Sequence, residues 1–132
     1  MTRVLVTADE FLTAPALDRP KEDVPVPELG EGKVIPVWGM TPRERTTFED
    51  SLGRGSKTLV DKKKLQARER WVVECCRDDE GARLFTLSQL EQIGERSAVV
   101  VERLVNVALR LSGSTNEDLE KLTKNSDAAP ED

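Results

Sequence analysis

The residues best placed to do chemistry lie in CCRDDEGARLFT, residues 75 to 86, where three acidic side chains crowd a glycine between two apolar helical patterns. A helix–loop–helix calcium site has that outline. Such a loop needs its glycine at position 6, oxygen ligands at 1, 3 and 5, and a bidentate acid at 12. With Gly81 at position 6, Cys76 falls at 1, Asp78 at 3, Glu80 at 5 and Leu87 at 12. Both ends of the coordination sphere are then missing, and a thiol is a poor ligand for a hard cation. Asp and Gly together serve a turn at no extra cost, because they tolerate left-handed backbone and bond locally. The loop reads as a turn.

Other reactive groups are few. The only cysteines, Cys75 and Cys76, are adjacent, so they form neither a CxxC redox pair nor half a zinc site. Two reduced, partly buried thiols are expected. The stretch GRGSKT at 53–58 fails as a phosphate loop, because Ser56 separates Gly55 from Lys57; it reads as a connector between helices. There is no histidine, which removes Ser–His, Cys–His and His-ligated metal chemistry. The many carboxylates fall mostly on polar helix faces. No enzyme and no cofactor is expected.

The chain that must position these residues has 132 residues, enough for one domain with a sizeable core. A net charge of −5 argues against a general nucleic-acid binder. No apolar run approaches the ~18 residues of a membrane span, and MTRVLVTADEFL lacks a secretory core. A cytosolic protein without a membrane partner is expected.

The spacing predicts a mainly α fold of about five helices with a small N-terminal β-hairpin, or α+β if the hairpin is counted. ADEFLT (8–13) suits one short helical turn. DVPVP (23–27) and KVIPVW (33–38) alternate around ELGEG, which predicts a hairpin over about 23–38. Pro25 and Pro36 restrict it to edges, and a lone hairpin must pack on something, with Trp38 as its anchor. TPRE (41–44) is a capping box opening a helix to about 52, with Phe48 and Leu52 on one face. A second helix spans about 59–77, with Leu65, Val72, Cys75 and Cys76 inward. Residues 54–70 hold seven basic and two acidic side chains. Lys57, Lys62, Lys63, Lys64, Arg68 and Arg70 form a candidate basic surface, although such a run is ordinarily a solvated helix face.

TLSQ (86–89) is a second capping box, opening a helix to about 94. The helix over about 95–112 has the strongest pattern. Val100, Leu104, Val107 and Leu111 make one stripe, and Ala98, Val101, Val105 and Ala108 make another beside it. Together they exceed the ~100° arc that a surface helix buries. Either this helix is central to the fold, or its second stripe is offered to a partner. Gly113 closes it as a C′ residue. STNE (114–117) is a third capping box, starting a helix over 115–123, and 124–132 is expected to be a disordered tail. Residues 1–123 then form a single domain.

The order of these pieces resembles the tail assembly chaperones of long-tailed, siphovirus-type bacteriophages, in their short non-frameshifted form. The resemblance runs from Thr7 to about Thr123. It is carried by Thr7, Ala8 and Asp9, by Pro27-Glu28, and by VWGMTPRERTTFEDSL, with Thr41, Glu44, Arg45, Phe48 and Glu49. It continues in Ala67-Arg68 and in DDEGARLFT, with Gly81, Leu84 and Phe85. It ends in IGERSAVVVERLVNVALRLSG, with Gly94, Glu95, Ser97, Ala98 and Leu111-Ser112-Gly113. The resemblance weakens at the N-terminal residues and inside the basic connector 53–64.

The resemblance implies a non-enzymatic protein of the host bacterial cytoplasm, absent from the mature virion. It would bind and solubilise the tape-measure protein, help recruit tail-tube subunits, and self-associate. Family members are often made in a longer form by frameshifting near the end of the short frame, and the polar tail here suits such a linker. Val100, Leu104, Val107 and Leu111 are then the candidate client or self-association face. The alternative reading is a structural head–tail or tail adaptor retained in the virion. A DNA-binding regulator using Lys62 to Arg70 would require salt-sensitive retention on DNA.

Overall fold

In the computed structural model, residues 3–53, 66–115 and 117 are described. Among them are five α-helices and one two-stranded antiparallel sheet. The fold is mainly α with a small hairpin near its N-terminus.

The first helix, α1 (Ala8–Thr13), is held by a capping box. Thr7 Oγ1 accepts the Glu10 N–H at 3.1 Å, and Glu10 Oε1 accepts the Thr7 N–H at 3.4 Å. None of its residues is buried. A 3₁₀ turn over Pro15–Leu17 leads to the hairpin.

The hairpin pairs β1 (Lys21–Pro25) with β2 (Val34–Trp38), from Lys21 opposite Trp38 to Pro25 opposite Val34. Its turn is longer than the Gly-rich gap suggested, because Pro27–Leu29 winds a 3₁₀ turn inside it. Flanking the ladder, the Val26 N–H donates to Lys33 O and the Gly39 N–H donates to Pro20 O, both at 2.9 Å. By alternation, Asp23–Pro36 and Pro25–Val34 are then non-hydrogen-bonded pairs, where a missing proline N–H faces away from the partner strand. The outer edge of β2 is also used. Pro36 O accepts the Arg77 N–H at 3.1 Å, and Val37 forms a bridge with Cys76.

The capping box at TPRE forms as the sequence suggests, with Thr41 N–H to Glu44 Oε1 at 3.0 Å and Glu44 N–H to Thr41 Oγ1 at 3.2 Å. It opens α2 (Pro42–Gly53). Phe48 on α2 is buried and meets Trp71 edge to face, with ring centroids 5.1 Å apart. The helix α3 (Ala67–Cys75) turns Ala67, Trp71, Val72, Val73 and Cys75 into the core. The stretch 59–65 expected to begin this helix, with Leu65, lies outside the described residues, as does the Leu52 side chain. So do the connector 54–58 and most of 115–132.

After the acidic turn, the Thr86–Gln89 capping box leads through a 3₁₀ turn into α4 (Leu90–Gly94), which buries Leu90 and Ile93. The longest of the described helices, α5 (Ala98–Leu111), starts three residues later than the apolar pattern suggested, because Ser97 caps it through the Val100 N–H. Its core residues are Leu104, Val105, Ala108 and Leu109. Burying each of the leucines and the valine contributes roughly 1.5–3 kcal/mol. The helix packs on α3 and on both strands, so it is the central helix.

The end of α5 is a Schellman closure. Ser114 N–H reaches Leu109 O at 2.7 Å and Gly113 N–H reaches Arg110 O at 3.2 Å, with Gly113 at a φ of 79°. Ser112, buried there, accepts the Met40 N–H on Oγ and the Arg45 guanidinium on its carbonyl. This junction ties the C-terminus of α5 to the end of β2 and the start of α2. The third capping box departs from expectation. Ser114 Oγ is buried without a hydrogen-bond partner, because the Schellman closure turns it inward.

Candidate functional site

The acidic loop is a turn built by one side chain. Asp78 Oδ1 accepts the N–H groups of Glu80 at 2.8 Å and Ala82 at 2.9 Å, and the Gly81 N–H donates to Asp78 O. Gly81 carries a φ of 91°, a left-handed conformation that disfavours side chains. The Asp78 carbonyl also takes the Trp38 indole N–H at 3.1 Å, so Trp38 anchors the hairpin to this turn rather than to the core. Arg19 and Lys21 stand over the Trp38 ring at 5.3 and 5.5 Å. Cys75 and Cys76 are both fully buried, and burial pushes both thiols up to about 12. Neither supplies thiolate near neutral pH.

An open depression between α2 and α3 collects Glu44, Arg70, Glu74, Arg77 and Arg83 around Phe48. Its carboxylates are engaged: Glu74 pairs with Arg77 and Arg83, and Glu44 with Arg19.

The apolar surface is elsewhere. A groove of about 300 Å³ runs between the hairpin turn and the N-terminal half of α5. Its deepest residues, Val72, Ile93 and Leu104, belong to the core, while Ile35, Phe85, Val100 and Val101 are half-buried along it. Leu29 (62% exposed) and Arg96 stand at its edge. The stripe expected on α5 is thereby split. Val100 and Leu104 line this groove, with Leu104 itself buried in the fold, whereas Val107 and Leu111 pack half-buried against the core away from it. Leu29, Ile35, Phe85 and Ile93 carried no sequence signal for this site, because they reach it from four different segments.

No family model, curated protein or solved structure matches the chain. The groove and its rim therefore stand on their own geometry. Among the described residues no group of three or more His, Cys, Asp or Glu side chains could hold a metal, and no helix is long and apolar enough to cross a membrane.

One rim of the groove is clasped by charge. Arg103 grips Glu28 with both guanidinium nitrogens, at 3.0 and 2.8 Å, and also donates to Pro25 O at 3.2 Å. These bonds join α5 to the hairpin turn. The Arg103 hydrogen bond, helped by the backbone amide of Glu28, lowers the Glu28 carboxyl from 4.5 to about 2. Because the folded value is depressed, the stability that the clasp contributes is fully present above about pH 4.5 and is lost as pH falls toward 2. Following the Glu28 side-chain carboxyl carbon by NMR should give a midpoint near 2, and Arg103→Gln should return it toward 4.5. An unchanged midpoint in the variant would disprove the clasp.

The basic surface is only partly described. Lys57, Lys62, Lys63 and Lys64 lie outside the described residues. Arg68 pairs with Glu102 on α5, and Arg70 is half-buried beside Phe48 and Val73. Arg68 is therefore engaged within the fold rather than free on α3.

Proposed function

We propose that this chain is a phage tail assembly chaperone that binds the tape-measure protein, keeps it soluble and helps recruit tail-tube subunits. The observation that carries the reading is the apolar groove beside α5, with Val100, Val101, Ile35 and Phe85 half-open along it. An amphipathic helix laid into such a groove buries its apolar face, and the charged rim of Glu28, Arg96 and Arg103 limits how it can lie. The sequence resemblance, running from Thr7 to about Thr123, supplies the identity of the client. In this reading the protein acts in the host bacterial cytoplasm, self-associates, performs no catalysis and leaves before the virion is finished.

The test is co-expression with the tape-measure protein of the same genome. That client is expected to move from the insoluble to the soluble fraction and to co-purify. A client that stays insoluble beside a folded, soluble chain would overturn the reading. Mass spectrometry of purified virions should then find this protein in the particle, as an adaptor requires.

A further inference from the structure

The N-terminal segment is apolar and uncovered. Val4, Leu5, Val6, Phe11, Leu12 and Leu17 are 57–84% exposed, and α1 buries nothing. A six-residue helix is far below the ~12 residues at which isolated helices become even marginal in water. Its capping box prepares it for a surface to lie on. Among the described residues, the groove beside α5 is the matching surface: apolar, half-open and edged by Arg96, where α1 carries Asp9 and Glu10 in its first turn.

The two features sit at opposite ends of the hairpin. The arm leaves the domain at Arg19 and Pro20, where Arg19 bonds Glu44 and Pro20 O accepts the Gly39 N–H. The groove lies at the far end, running from Ile35, opposite Val24, to Leu29 in the hairpin turn. The helix α5 repeats this polarity, with Arg110 bonding Glu22 at the arm end and Arg103 bonding Glu28 at the groove end. Pro15, which opens the 3₁₀ turn, and Pro20 restrict the backbone between α1 and β1.

We propose that the arm of one copy, led by Phe11 and Leu12, docks into the α5 groove of a second copy. Each copy gives an arm and receives one, so two copies exchange arms across a two-fold axis or the contact runs head to tail into a larger ring or a chain of copies. The inference deepens the self-association within the proposed function and does not depend on the client. A client helix entering the same groove displaces the neighbouring arm, which makes the assembled state a reserve of covered grooves.

Size-exclusion chromatography with light scattering, on the full chain over a dilution series, tests it without any client. The wild-type chain is expected to run as a dimer or larger, with a mass that falls on dilution. Phe11→Asp with Leu12→Asp should weaken association at least tenfold. So should Leu29→Asp at the groove edge; all three residues are more than 60% exposed, so folding should be kept. Mixing the arm variant with the groove variant is decisive: one contributes an intact groove, the other an intact arm, and a complex stopping at two chains is expected. A wild type monomeric at all concentrations, an oligomer indifferent to the arm variant, or a mixture that stays monomeric would each overturn the proposal. Failure of client rescue in co-expression, with the oligomer behaving as described, would leave the arm contact standing and remove only the chaperone reading.

Discussion

Gly39→Ala is expected to lower the melting temperature by on the order of 10 °C, from a destabilisation of about 3 kcal/mol. A Cβ at Gly39 would lie 2.4 Å from Leu111 O and 2.9 Å from Leu111 C, with Pro20 Cγ at 3.0 Å. The first two atoms are backbone, so no side-chain rotation relieves the overlap. The φ of Gly39 is not left-handed, so the cost comes from contact and not from conformation. Separation would strain the Gly39–Pro20 and Met40–Ser112 hydrogen bonds together, because all four residues meet at the junction of β2 with the end of α5. Gly81→Ala, where no atom lies within 4 Å of a new Cβ, isolates the cost of left-handed backbone alone and should fall nearer 1 kcal/mol. Thermal unfolding of both variants by circular dichroism checks the order. Equal losses would mean that α5 and β2 are not in contact at Gly39.

The second large effect separates the two tryptophans. Trp71→Ala should cost about 3–5 kcal/mol, because a fully buried indole leaves a cavity and Phe48 loses its edge-to-face partner. Trp38→Ala should cost less, about 1.5–3 kcal/mol, from one hydrogen bond to Asp78 O and the two cations over an only half-buried ring. Urea unfolding followed by far-ultraviolet circular dichroism measures both. In the Trp38→Ala variant, the remaining fluorescence should be blue-shifted and move red on unfolding, as a buried Trp71 requires. The reverse order of stabilities would place the core around the wrong tryptophan.

Much of the local structure was legible before any tertiary information. The box residues Thr41-Glu44 and Thr86-Gln89 form as their spacing requires, since each satisfies amides within four residues of itself. Gly113 takes the left-handed C′ position, and Asp78 with Gly81 builds the turn that their chemistry favours. Each of these is a short-range hydrogen-bonding problem, and one sequence window contains all its terms. The inward set on α3 was equally readable for Val72 and Cys75, because a helical period alone assigns a face; Cys76 is buried too, but it lies past the helix end in extended backbone that bridges to Val37.

What the chain could not disclose by itself lies at contacts between distant segments. Trp38 and Trp71 are chemically identical in the sequence, and only the packing of α2 on α3 puts one in the core and leaves the other against a turn 40 residues away. Ser114 looked like a helix cap, but the Schellman closure buries its hydroxyl. The double stripe on α5 allowed either a central helix or a partner face. Tertiary packing makes it the central helix, covering Leu104, Val105 and Ala108 within the fold while leaving Val100 and Val101 half-open on a groove. That groove needs Leu29, Phe85, Ile93 and Val100 brought together from four segments. Periodicity reports which way a side chain faces along one element; what stands opposite is settled only when the elements pack.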